Sequence, residues 1–156
     1  MLGTIKEVTD GQQIIDVIHA AFKRYEQDLM PSSALVETKA TIDQELANEV
    51  RMLGTKVGEQ LVGVVKVMRY EDCLYFSRLA VLPVFQGQGM ASALVGSIEQ
   101  LAIKEQIPTV RCKVRKSEET NIRLYQKLGF HISKEEQTTS SLGFVMETVT
   151  MDKAVR

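Results

Sequence analysis

Two glycines one residue apart, Gly87 and Gly89, stand in the stretch VFQGQGMASAL (residues 84–94), directly ahead of an apolar-periodic run. A glycine-rich loop that leads into a helix N-terminus is a ready anion site. The unpaired amides of the first turn and the positive end of the helix dipole converge on one place. Glycine has no Cβ to block a phosphate from reaching those amides, and the small Ala91 and Ser92 follow directly. The chemistry this implies is main-chain binding of a phosphate, although a purely structural turn would carry the same residues.

Three phosphate binders compete for the motif. A P-loop requires Gly-Lys-Ser/Thr, and no lysine follows these glycines. A dinucleotide fingerprint needs a small third residue, a role open to Ser92, and an acidic residue about twenty positions on. The chain there reads TVRCKV, which is basic. The third binder becomes visible only from the elements around the loop.

TIKEVTD is a short strand leading to a helix opened by Asp10, in which Ile14, Ile15, Ile18, Phe22 and Tyr25 recur at helical spacing. EQDLMPSSALVETKA breaks that pattern with Pro31 and two serines and reads as a loop or broken helix. Thr41 is expected to cap a second helix running to about Glu49. MLGTKV, LVGVVKVMRY and CLYFSRLAVL are strands joined by hairpin-length connections. A helix from about Gly89 to Lys104 follows, then a strand TVRCKV, a helix EETNIRLYQKL, a strand GFHISKEE and a closing strand FVMETVTMD.

The order β-α-α-β-β-β-α-β-α-β-β excludes a regular alternating βαβ sheet. The helix after QGQG links two strands by a crossover and makes that pair parallel. The expected fold is an α/β (α+β) single domain over residues 1–156 with a mixed central sheet. In CLYFSRLAVL the apolar parity flips near Ser77 and Arg78, from Leu74 and Phe76 to Leu79 and Val81. A β-bulge that splays the strand explains the flip; a strand buried on both faces would also show it.

Composition excludes several function classes. The 156 residues suit one core-forming domain. Nineteen Lys and Arg against 20 Asp and Glu give a net charge of −1, which argues against a general nucleic-acid or anionic-membrane binder. Cys73 and Cys112 lack metal-ligand spacing and two histidines are too few for an obvious zinc site, so no metal is expected. Without a recognisable signal peptide or spanning segment, the expectation is a reducing cytoplasm and reduced cysteines.

LAVLPVFQGQGMASAL resembles the acetyl-CoA signature of the GCN5-related N-acetyltransferases (GNAT), [QR]-x-x-G-x-[GA], met here by Gln86, Gly89 and Ala91. The family's second hallmark is an Asn, a Tyr four residues on, and a Gly-Phe pair. It is matched by NIRLYQKLGF, with Asn121, Tyr125, Gly129 and Phe130. The order of elements agrees from Ile5 to Met151, so the resemblance covers nearly the whole chain.

The resemblance implies a sheet of about seven strands flanked by about four helices, with a V-shaped splay between the two central strands. It implies acetyl-CoA as co-substrate, its pyrophosphate held by amides of Gln86, Gly87, Gln88, Gly89, Met90, Ala91 and Ser92. The splayed strand at Leu79, Ala80 and Val81 would offer main-chain groups to the pantetheine arm. Asn121 would bond the arm from the other side. Lys127 is either near the phosphates or a solvated helix lysine.

Tyr125 resembles the family's general acid, a phenol that protonates the departing thiolate after a neutral amine attacks the thioester; a core tyrosine is the alternative. A main-chain amide near Leu79 or Val81 would meet the oxyanion. Many relatives carry a glutamate before the L-x-V element as base, where this chain has Ser77 and Arg78. Glu71, Asp72, His131, His19 and a water chain all remain open. The acceptor, a small amine or a peptide, would meet residues 22–38, with Phe22, Tyr25 and Ser33 as wall residues. A homodimer is compatible with these readings. A CoA-sensing module without turnover is the rival from another class, and a nicotinamide-binding domain a third.

Overall fold

The computed structural model describes residues 4–26, 28 and 32–155. Its strands are β1 (Ile5–Glu7), β2 (Arg51–Val57), β3 (Gln60–Arg69), β4 (Leu74–Val81), β5 (Thr109–Arg115), β6 (His131–Thr139) and β7 (Val145–Ala154). Its helices are α1 (Gly11–Phe22), α2 (Lys39–Ala47), α3 (Met90–Lys104) and α4 (Glu119–Lys127), with 3₁₀ turns at Lys23–Tyr25, Ser33–Val36 and Pro83–Phe85. The strands form one mixed sheet in the order β1-β2-β3-β4-β5-β7-β6. The seven strands and four helices match the expected architecture. The chain groups into two compact units, Met1–Met68 with Phe76–Ile98, and Arg69–Tyr75 with Glu99–Arg156.

In the first unit, Asp10 caps α1 as its sequence position requires: its carboxylate accepts from the amides of Gln12 and Gln13, both at 3.1 Å. Ile14, Ile15, Val17 and Ile18 on one face of α1 pack into a core with Ile42 of α2, Met52, Leu61, Val64 and Ala80. The second helix begins earlier than expected. Thr38, not Thr41, is its N-cap, and Thr41 is the reciprocal partner in a capping box. Two threonines three apart can each serve as cap; the one whose partner lies at the third helical position gains both bonds.

β1, β2 and β3 pair antiparallel in sequence order. Within β4, Arg78 has φ 53°, a left-handed conformation that a residue with a Cβ adopts only when its surroundings hold it there. The strand therefore bends where the parity argument placed an irregularity. Burial does not switch cleanly, however: Phe76, Ala80 and Val81 are buried, and Leu79 is half-buried.

In the second unit β7 lies between β5 and β6 and pairs antiparallel with both. The first two residues of β4 belong here and pair parallel with β5, Leu74↔Val110 and Tyr75↔Arg111. That ladder ends after two residue pairs, at the amino ends of both strands. Arg111 binds Asp152 of β7 through two bonds, Nε at 2.8 Å and Nη2 at 3.1 Å. Cys73 and Cys112 are buried and free. Burial, with Asp152 adding to it, pushes the Cys112 thiol up to about 12.

Candidate functional site

The loop between β4 and α3 is built from local chemistry. Pro83 opens a 3₁₀ turn, closed by the Phe85 amide donating to the Leu82 carbonyl at 2.8 Å. Gln86 then folds back, and its Nε2 donates to the Val81 carbonyl at 3.0 Å. Its side chain braces the loop on the end of β4. Gly87 (φ 79°) and Gly89 (φ 82°) are both left-handed, and a Cβ on either would meet no atom within 4 Å. The glycines thus supply backbone geometry and leave space on the side a phosphate would occupy.

The Ala93 amide bonds the Gly89 carbonyl at 3.0 Å, which starts the α3 ladder. The amides of Met90, Ala91 and Ser92 fall in the first turn, where no intrahelical carbonyl is available to them. Gln86, Gly87, Gln88 and Gly89 are exposed, while Met90 is buried with its side chain in the core and offers a ligand only main chain. These residues fit a pyrophosphate: exposed backbone, an open side and a positive helix end.

Near the bend in β4 lies a cluster of charges that the sequence did not reveal as a unit. Arg78 Nε donates to Glu37 Oε1 at 3.1 Å and its Nη2 to Ser33 Oγ at 2.9 Å. Glu37 also faces Lys66 Nζ at 3.6 Å, and Lys66 bonds both carboxylate oxygens of Glu45, at 2.7 and 2.8 Å. The Lys66 side chain is only 5% exposed, and these two carboxylates are the partners that a buried amine needs. His19 Nε2 donates to the Glu37 carbonyl at 2.7 Å. Ser33 is therefore tied to β4, and His19 braces the segment before α2.

Phe22 and Tyr25 stack on each other with ring centroids 5.7 Å apart, and Phe22 also packs against the core. Arg24 lies over the Tyr25 ring, 4.7 Å from its centroid, and its Nη2 donates to the Tyr25 hydroxyl at 2.7 Å. Neighbouring residues, rather than Phe22, Tyr25 or Ser33, line an open cleft of about 510 Å³: Ala20, Ala21, Lys23, Arg24, Glu26, Pro83 and Gln86. Of the segment expected to shape an acceptor pocket, residues 27 and 29–31, with Pro31 among them, lie outside the described residues.

In the second unit α4 carries Asn121 and Tyr125 four residues apart, hence on one helical face. Asn121 is half-buried; Tyr125 is 7% exposed, its ring 5.9 Å from that of Phe130. The Phe130 amide donates to the Tyr125 carbonyl at 2.9 Å, and Gly129 takes φ 98° between them. This helix stop accounts for the Gly-Phe pair after the tyrosine. Lys127 is exposed, as are Glu71, Asp72 and His131; Asp72 faces Arg111 at 3.6 Å. Among the described residues no group of three or more His, Cys, Asp or Glu could hold a metal ion, and no helix is long and apolar enough to cross a membrane.

A mixed seven-stranded sheet with a glycine-rich turn before its crossover helix is the architecture that the sequence resemblance implies, and comparison with known proteins tests it. A family model described as an acetyltransferase (GNAT) domain matches residues 23–151. An acetyltransferase of Yersinia pestis (strain Pestoides F) is 31% identical over 108 residues, 69% of this chain and 70% of that protein.

The fold is also that of the ribosomal-protein-S18-alanine N-acetyltransferase of Escherichia coli, with TM-score 0.78, 19% identity, and 99% of this chain and 94% of that one covered. An N-acetyltransferase of Staphylococcus aureus Mu50 gives TM-score 0.78 at 12% identity, covering 98% of each chain. The chain belongs to the GNAT family of N-acetyltransferases. That family uses acetyl-CoA and acts on amine or peptide acceptors.

Proposed function

We propose that this protein transfers the acetyl group of acetyl-CoA to a primary amine by direct attack of the neutral amine on the thioester. The observation that carries this reading is the loop ahead of α3, where Gly87 and Gly89 are left-handed and open on their Cβ sides. Bound acetyl-CoA supplies the thioester. The main chain from Gln86 to Ser92 holds its pyrophosphate, main-chain groups of Leu79, Ala80 and Val81 receive the pantetheine arm, and Asn121 bonds that arm. Lys127 lends a positive charge toward the phosphates. A main-chain amide near Leu79 or Val81 meets the oxyanion.

Tyr125 gives its Oη proton to the departing thiolate. The ammonium proton leaves through water. Arg78 stands where relatives carry a strand glutamate, and His19 spends its Nε2–H on the Glu37 carbonyl. Exposed Glu71 and Asp72 are solvated. Calorimetry with acetyl-CoA, alongside thiol release across a broad amine panel, tests the reading. Micromolar binding with amine-dependent thiol release is expected. Binding with no release for any amine would leave a CoA-sensing module, and no binding would remove the loop from the function.

A further inference from the structure

Building on that proposed activity, we infer that the acceptor amine carries an anionic group, received by Lys23 and Arg24 at the cleft beside Gln86. The cleft, about 510 Å³, lies in the size range of small-molecule sites. It shares Gln86 with the glycine loop, and the Gln86 side chain reaches the Val81 carbonyl at 3.0 Å, so the cleft adjoins the end of β4 to which the pantetheine arm and the oxyanion are assigned. Ala20, Ala21 and Pro83 give it apolar lining, and among the described residues its charged lining is two cations against one carboxylate, Glu26.

Arg24 is already oriented. Its guanidinium rests on the Tyr25 ring and bonds the Tyr25 hydroxyl. A guanidinium fixed in this way loses little freedom when it meets a carboxylate or phosphate with its remaining donors.

The carboxylates near β4 point to the same class of acceptor. A polyamine needs uncompensated negative charge, yet Glu37 is held by Arg78 and Lys66, and Glu45 by Lys66. Two carboxylates and two cations make that cluster neutral. It offers a cationic acceptor no net attraction, while the cleft offers an anionic one a net positive lining.

The test compares matched amines that differ only in a carboxylate or its carboxamide, such as glutamate and glutamine or β-alanine and β-alaninamide, with spermidine alongside. The carboxylates are expected to show higher kcat/KM by about fivefold, the upper end for an exposed charge pair. In Lys23→Glu that preference should vanish or reverse, with Lys23→Gln intermediate. Preference for spermidine or the carboxamides, or a preference untouched by Lys23→Glu, would overturn the inference while leaving acetyl transfer intact.

The same variants are then run with acetyl-CoA and acetyl-3′-dephospho-CoA. A KM rise confined to the phosphorylated donor would assign the cations to the nucleotide phosphate and also overturn the acceptor assignment. Absence of thiol release with every amine would remove the proposed activity itself, and this inference with it.

Discussion

Arg78 donates its Nε–H to Glu37 Oε1 at 3.1 Å across 41 residues of sequence, from the one left-handed residue of β4 to the segment that leads into α2. The bond does two things at once. It satisfies a guanidinium that is only partly exposed, and it holds in place a backbone conformation that β propensity alone would not select. With Ser33 as second acceptor, Arg78 fastens the residues before α2 to the strand.

Replacing Glu37 by Gln is therefore expected to destabilise the protein by about 1.5–3 kcal/mol, the range for a hydrogen bond to a charged group. Arg78→Met should cost a similar amount, and the double variant less than the sum, because each single change strands the other charge. Urea denaturation of the four proteins measures the coupling. Additive losses would mean that the pair contributes nothing as a unit.

This pair also marks the limit of what the sequence disclosed. The Asp10 cap, the apolar face Ile14–Ile18 and the glycine turn were legible because each depends on residues within one or two turns of chain. The bend at Arg78 was legible as a break in strand parity. Its partner was not: nothing local marks Glu37 among 20 acidic residues, and only long-range packing brings it to Arg78. Phe22 and Tyr25 are candidate pocket walls by sequence because they lie in the segment between the first two helices. Phe22 packs against the core, and Tyr25 packs against Phe22 and under the Arg24 guanidinium.

Gly89→Val tests the loop. Nothing stands within 4 Å of the added Cβ, so the variant should fold. The φ of 82° is strained for a β-branched side chain, and the branch projects into the open space proposed above for the pyrophosphate. Acetyl-CoA affinity should fall at least about tenfold, roughly the effect of one lost charge-assisted hydrogen bond, as measured by calorimetry. Unchanged affinity would take Gly89 out of the binding site.

Cys112 should behave as an inert core residue. Its buried thiol is pushed up to about 12, whereas an unfolded cysteine ionises near its ordinary value of 9.0. A raised pKa contributes fully below the unfolded value and is lost as pH rises toward the folded one. Unfolding free energy should thus decline between about pH 9 and pH 12 through this group, and less in Cys112→Ala. Native alkylation at pH 8 should be much slower than alkylation in urea. Equal rates would show that the thiol is accessible in the folded state.

Tyr125 is the most telling side chain to change. It lies on α4 one turn beyond Asn121, is almost fully buried, and packs its ring against Phe130. Phenylalanine keeps the ring and that packing, so fold and acetyl-CoA affinity should survive, while the only group able to donate a proton from this position is lost. A fall in kcat of about 10²-fold is expected, within the range for general acids, with little change in acetyl-CoA binding. The loss should be smallest for acyl donors whose leaving thiol is more acidic, because such a thiolate departs without a proton. A decrease of less than about threefold would assign protonation to water or another group and leave Tyr125 a packing residue. Collapse of binding or of thermal stability in Tyr125→Phe would make the hydroxyl structural, and the catalytic assignment would fail with it.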